Sequence, residues 1–297
     1  IASPRSKGKR ARFHVWKNVL PLESMLRLEE KLLLSSPEFT FIQLAGYHPR
    51  FEPISEQFTK ELWEAREARA AAGPFGEPVY DNPFDWDLKM RLVGLMQVAC
   101  ELLGTYRIGG RHHKTTYEQK PLMTRESVLK MVDGIVSLYG ATRIRMALAA
   151  AFDNAASPME ANLALMLCLP AEFGGYELPR PELNVKLRFE RVDLNGVKRS
   201  IRPDLYWPDR KVVLEYEGEG SHVALGPEKI ADDASRANSM LAKKVNVLRA
   251  TTNSVNSFER MDLLAHQVAD ALAIKIPEPD ELTLIRRRKL YLWLRRT

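Results

Sequence analysis

Residues 202–222 read RPDLYWPDRKVVLEYEGEGSH, and the reading of this stretch decides the fold. Trp207-Pro208-Asp209-Arg210 has the composition of a turn, and Lys211 to Tyr216 is a β-branched, apolar run of the kind buried in a sheet. Glu215 and Glu217 stand at i and i+2, so on a strand both carboxylates leave the same face. An antiparallel strand ending at Asp204 brings a third carboxylate beside them. Three acids at that spacing repel one another unless a cation lies between them, and magnesium is held by one or two carboxylates with several waters. The competing reading is a solvated acidic face. Against it, Glu215 directly follows Val212-Val213-Leu214, where an unpartnered charge is costly.

Working outward, Val185 to Phe189 alternates strictly and is read as a strand, Asn195-Gly196 as a hairpin turn, and Lys198 to Leu205 as the return that delivers Asp204. Gly218-Glu219-Gly220-Ser221 frees the backbone beside the carboxylates and leads to His222. A helix is expected from Pro227 to Lys244, on which Asp233 and Arg236 are three apart and suited to an ion pair. A strand at Val245 to Arg249 and an amphipathic helix from Phe258 to Ile274 follow. Upstream, Ser157-Pro158-Met159-Glu160 opens a helix with Ser157 as the cap, Pro158 at the first position and Glu160 at the third. Glu160 then either completes a capping box or reaches into the acidic group.

The first half has weaker punctuation. A helix-like region at Leu26 to Leu28 precedes SSPEFTFIQLA, where Ser36, or Ser35 before it, caps a helix from Pro37 that buries Phe39, Ile42 and Leu44. A charged helix at Glu61 to Ala72, an amphipathic helix at Trp86 to Leu103, a basic loop at Gly109 to Lys114, a helix from Thr124 to Gly140 and an alanine-rich helix at Ala141 to Phe152 complete it. The 297 residues suit about two domains. A 45% apolar content and no apolar run of membrane-spanning length point to a soluble, cytoplasmic protein. Cys100 and Cys168 sit in apolar contexts and read as core residues. The net charge of +6 gathers near Arg5 to Arg12, Arg286 to Lys289 and Arg295-Arg296, as solvated ends or as a nucleic-acid surface. The start at Ile1 leads us to expect a fragment with a domain before it.

From Ser157 to about Ile276 the chain resembles the Vsr-like endonuclease-domain proteins, a branch of the PD-(D/E)XK nuclease fold. The resemblance rests on the helix start at Ser157 to Glu160, Arg202-Pro203-Asp204, Glu215 to Gly218, His222, the Asp233 to Arg236 helix and Val247-Leu248-Arg249. It implies an α/β (α+β) chain. A mixed PD-(D/E)XK-like sheet flanked by helices would occupy residues 154–276, after a smaller mixed α/β accessory domain over 1–153 and before a basic helix or tail over 277–297. It also implies an Mg2+- or Mn2+-dependent endonuclease with Asp204 and Glu215 as metal ligands, and Glu217, His222 and Glu160 as further catalytic groups. His222 would be a general base, a leaving-group acid or a phosphate contact. Arg202, Arg236, Arg249 and Lys211 would face nucleic acid. The chain departs from the pattern in three places: Glu217 stands where the family usually has aspartate and the best-known nucleases of the fold have lysine, Ser221 precedes a single histidine, and Lys244 replaces a favoured glycine. Lys211 and Lys229 are candidates to supply the missing charge. More loosely, the first half resembles abortive-infection-type antitoxin or regulator proteins, which implies a protein partner encoded nearby and a winged-helix DNA reader before Ile1. The alternative is a non-catalytic nucleic-acid-binding regulator that keeps the fold.

Overall fold

A computed structural model describes residues 16, 19–30, 32–46, 83–109, 114–187, 190–192, 198–218 and 227–295, with backbone alone at 83–87, 190–192, 198–199 and 227–233. In chain order the elements are β1 (Met25–Glu29), β2 (Leu32–Ser35), α1 (Pro37–Gly46), α2 (Pro83–Leu103), α3 (Arg125–Asp133), α4 (Ala141–Ala150) and α5 (Pro158–Cys168). They continue with β3 (Glu182–Leu183), β4 (Glu190–Val192), β5 (Lys198–Ser200), β6 (Leu205–Trp207), β7 (Val212–Glu217), α6 (Pro227–Ala242), β8 (Asn246–Thr251), α7 (Phe258–Ala271) and α8 (Glu281–Leu294). The protein is mixed α/β, and the chain divides into two compact units, residues 1–48 with 123–146 and residues 49–122 with 147–297. The expected helix at Glu61 to Ala72, the histidines of the Gly109 to Lys114 loop, the Asn195-Gly196 turn and His222 lie outside the described residues.

In the first unit β1 and β2 form an antiparallel hairpin, so the helix-like reading of Leu26 to Leu28 is corrected to a strand. Apolar residues at every second position suit a pleat, and the segment is too short for a helical stripe. Helix α1 starts at Pro37 with Ser36 Oγ accepting from Phe39 N–H. It buries Phe39, Phe41, Ile42 and Ala45 but leaves Leu44 on the open face. Thr124 and Ser127 cap α3 reciprocally, and that helix stops at Asp133, before Gly134, well short of Gly140. Gly140 instead makes a close approach in a left-handed turn: its φ is +89°, and a Cβ there would stand 2.9 Å from the Ala45 carbonyl oxygen.

The second unit is organised around α5 and a four-stranded sheet in the order β3-β6-β7-β8. Strand β6 pairs antiparallel with β7 through Leu205↔Leu214 and Trp207↔Val212, and β7 pairs parallel with β8 through Val212↔Asn246 to Glu217↔Thr251. The parallel pair needs a crossover, which α6 supplies. On one face Val213 packs with Leu187, Ile201, Met240 and Val245. The single return strand expected from Lys198 to Leu205 is divided instead into β5 and β6. Pro203, which lies between them, has no N–H for a ladder. The strand expected at Val185 to Phe189 is not formed over its described part, residues 185–187; the paired residues are Glu182 and Leu183, and Asn184 turns the chain away at φ +52°. Lys244, where the resemblance favours glycine, takes φ +56°, a conformation that glycine adopts without strain.

Helix α5 is buried at every position from Glu160 to Leu167. The chain then folds back along it, with Tyr176 N–H bonded to Met166 O and Leu178 N–H to Leu167 O. Gly175 permits this path, because a Cβ there would meet the Leu169 carbonyl oxygen at 1.8 Å. Helix α8 packs against α5 and buries Leu290, Trp293 and Leu294. Two residues of the basic run Arg286 to Lys289 are buried as well, Arg287 and Lys289, so the run is not a solvated tail. Both cysteines are free, Cys100 buried and Cys168 half-buried. Among the described residues no helix is long and apolar enough to cross a membrane.

Candidate active site at the carboxylate end of the sheet

The β6–β7 register continues one step past Leu205↔Leu214 and sets Asp204 opposite Glu215. The two residues exchange contacts in that position. Asp204 Oδ2 accepts the Tyr216 N–H at 2.6 Å, and the Glu215 carboxylate accepts the Asp204 backbone N–H. Glu217 follows on the same face of β7 as Glu215, as the i, i+2 spacing requires.

Among the described residues two cations face this edge. Arg236, three turns into α6, places Nη2 2.6 Å from Glu215 Oε1 and 3.1 Å from the Arg202 carbonyl oxygen. Arg249 lies across the parallel ladder from Glu215, with Nη1 3.4 Å from Glu217 Oε1. Arg236 therefore makes an ion pair with Glu215, and the side chain of Asp233, its expected partner, lies outside the described residues.

Glu160 arrives from α5 beside Asp204, and its carboxylate bonds the Ser157 hydroxyl and the Ala156 N–H rather than the Ser157 N–H, so the expected capping box is not formed. Ser157 Oγ accepts from the Glu160 N–H and donates to Glu160 Oε1 at 2.8 Å, so the Ser157 hydroxyl caps the helix and holds the carboxylate at once. Glu160 Oε2 accepts the Ala156 N–H at 2.9 Å and the Asn184 side-chain amide at 2.5 Å. It also feels the charge of Asp204.

The electrostatics are those of a carboxylate surplus. Burial pushes Glu160 up to about 7, with the Asp204 charge adding to the shift against three hydrogen bonds that oppose it. Burial likewise pushes Glu215 up to about 7, with Arg236 opposing and Asp204 adding. Asp204 is raised too, by burial first and by Glu217 in addition, although the Tyr216 N–H and Arg236 hold it down. Among the described residues two guanidinium groups and several N–H donors stand against these four acids.

The chain matches no protein-family model, no curated protein and no solved structure.

Among the described residues no three His, Cys, Asp or Glu side chains stand in a ready metal-holding group. Magnesium asks for less, since one or two carboxylates with water suffice. Asp204 and Glu215 meet that requirement: they are adjacent and half-buried, and the Asp204 charge adds to the rise of Glu215. The remaining expected site residues divide. Arg202 is exposed and contributes its carbonyl to Arg236. Arg249 is half exposed beside Glu217. Lys211 stands in the turn before β7, a strand's length from Glu217, so it does not join the carboxylates. The residue that sequence reasoning missed is Asn184, whose only signal was the tolerance of asparagine for left-handed backbone at the end of a short strand.

Proposed function

We propose that the protein is a metal-dependent nuclease that hydrolyses phosphodiester bonds in DNA, with Mg2+, or Mn2+ in its place, held by Asp204 and Glu215. The observation that carries this reading is the gathering of partly buried carboxylates at one sheet edge, where burial and the Asp204 charge push Glu160 and Glu215 up to about 7, Glu215 despite Arg236. A bound divalent ion would supply charge neutralisation at the phosphate and activation of water. The residues of the chain do the rest. Asp204 is fixed by the Tyr216 N–H, so its second oxygen is directed without a rotamer search. Arg236 sets the orientation of Glu215. Glu217, a third exposed on its side chain, is placed to accept a proton, and Arg249 beside it is half exposed and available to a phosphate. Arg249 also provides positive charge near the position where the best-known nucleases of the fold carry lysine.

The resemblance of residues 157–276 to Vsr-like endonucleases supports the same reading, as does the helix, strand, strand, helix, strand order that carries Glu160, Asp204, Glu215, Arg236 and Arg249. Purified protein is expected to cut plasmid DNA with Mg2+ or Mn2+ and to stop doing so as Asp204→Ala. No cleavage of duplex, mismatched or single-stranded DNA, with Asp204→Ala indistinguishable from the parent, sinks the proposal.

One observation favours a second reading, a non-catalytic nucleic-acid binder: Arg236 already sits on Glu215 at 2.6 Å, as an internal counterion would. That protein would bind DNA with a steep salt dependence, turn nothing over and show no affinity for divalent ions.

A further inference from the structure

Asn184 makes contacts on three sides. Its backbone N–H is shared between the carbonyl oxygens of Pro203, at 3.0 Å, and Asp204, at 3.2 Å. Its side-chain amide donates to the Asn154 carbonyl oxygen at 3.0 Å and to Glu160 Oε2 at 2.5 Å. One residue thus holds the strand end that carries Asp204, the loop before α5 and the carboxylate at the start of α5.

The donor is matched to the position. An amide gives two N–H groups from one nitrogen, and both are used, one on a carbonyl and one on a carboxylate. The backbone at φ +52° is a conformation that asparagine tolerates better than most residues, and it turns the main-chain N–H toward Asp204 while the side chain faces Glu160. Aspartate would fit the same backbone but would add a fifth carboxylate to the site, directly against Glu160. Glycine would keep the backbone bonds and remove only the amide.

We propose that Asn184 is the positioning residue of the site: it fixes the spacing between Glu160 and Asp204 and holds Glu160 in its acceptor orientation. This rests on the nuclease reading for its catalytic consequence but not for the contact itself. The full chain carrying Asn184→Gly, Asn184→Ala or Asn184→Asp is assayed for Mg2+-dependent plasmid cleavage, with kcat and KM separated and thermal midpoints measured alongside.

Positioning predicts that Asn184→Asp loses the most kcat, about 100-fold, and Asn184→Gly about tenfold, with KM for DNA unchanged in both. Asn184→Ala, forced into left-handed backbone, loses the most thermal stability. A purely structural residue gives a different order, with alanine lowest in activity as well as in midpoint and aspartate and glycine close to the parent; that order overturns the proposal. Should the parent protein not cut DNA, the nuclease reading fails by itself. The positioning contact is then read from the Asn184 side-chain amide in a 1H–15N spectrum. A displaced resonance in Glu160→Gln sustains the contact, and an unmoved one overturns it.

Discussion

Two groups of buried charge lie within the larger unit, and they are built differently. Around Asp262 on α7, one carboxylate accepts the Tyr176 hydroxyl at 2.7 Å, with Arg287 Nη1 and His266 Nε2 each 3.9 Å away. The Arg287 guanidinium also lies 4.3 Å over the Tyr176 ring. One acid there has a full cation, a phenol and an imidazole around it. At the sheet edge, Asp204, Glu215, Glu217 and Glu160 share Arg236 and Arg249. Both groups sit in part-buried surroundings, so burial of charge does not separate them. The balance of acids to donors does. The first group surrounds its one acid with three partners and ties α7 and α8 to the turn after α5, although Arg287 Nε and Nη1 have no hydrogen-bond partner; the second gathers four acids around two guanidinium groups among the described residues, and we propose that a cation completes it.

The largest expected effect tests that distinction. Asp204→Ala should reduce cleavage by about 1,000-fold or more, because the loss of one ligand removes the ion's charge stabilisation. Asp262→Asn should leave cleavage and cation binding unchanged and lower only the thermal midpoint.

The next effect is in the pH dependence of stability. Glu160 and Glu215 go from an ordinary 4.5 to about 7 on folding, so the folded protein keeps protons that the unfolded chain has lost. Their contribution to stability is complete below about 4.5 and is lost as the pH rises through 7. Each is worth on the order of 3 kcal/mol over that window. Urea denaturation from pH 4.5 to 8 should show the decline, and Glu215→Gln should flatten it. Saturating Mn2+ should offset it at the upper end.

Arg236→Met comes third. It leaves Glu215 in place with a side chain only 13% exposed and its cation gone, while Arg236 itself is 32% exposed. Breaking a fully buried pair costs more, and solvent screening of the arginine brings the expected loss to about 2 kcal/mol by denaturation. Tyr176→Phe is the smallest change, roughly 1 kcal/mol for one hydrogen bond to a carboxylate, with no effect on cation affinity. An effect of Tyr176→Phe on cation binding would break the contrast between the two groups.

The sheet edge was legible in the sequence because its signals are local. The β-branched run before Glu215, the i, i+2 spacing to Glu217 and the turn at Trp207 to Arg210 fix β6, β7 and the side to which both carboxylates point. Ser157 and Pro158 likewise fix the start of α5 and hence the place of Glu160. What was not legible depends on groups far apart in the chain. The Asp262 group joins Tyr176, Asp262 and Arg287 across more than a hundred residues, and nothing in their local composition announces it. The basic run at Arg286 to Lys289 reads as a tail, yet α8 turns Arg287 onto Tyr176. Asn184 was hidden for a related reason, since the alternation of Val185 to Phe189 masks the turn just before it. Leu26 to Leu28 fits a helical or a pleated pattern over so few residues, and pairing with β2 decides between them.

The central claim, that the carboxylate surplus is a cation site, is tested most directly by adding substoichiometric Mn2+ to 15N-labelled protein and following the amide resonances. The account predicts that Tyr216, whose N–H is bonded to Asp204 Oδ2, broadens first, that the amides of Tyr176 and Asp262 stay sharp, and that Asp204→Asn abolishes the selectivity. Broadening centred on Asp262, or none around Tyr216, would contradict it.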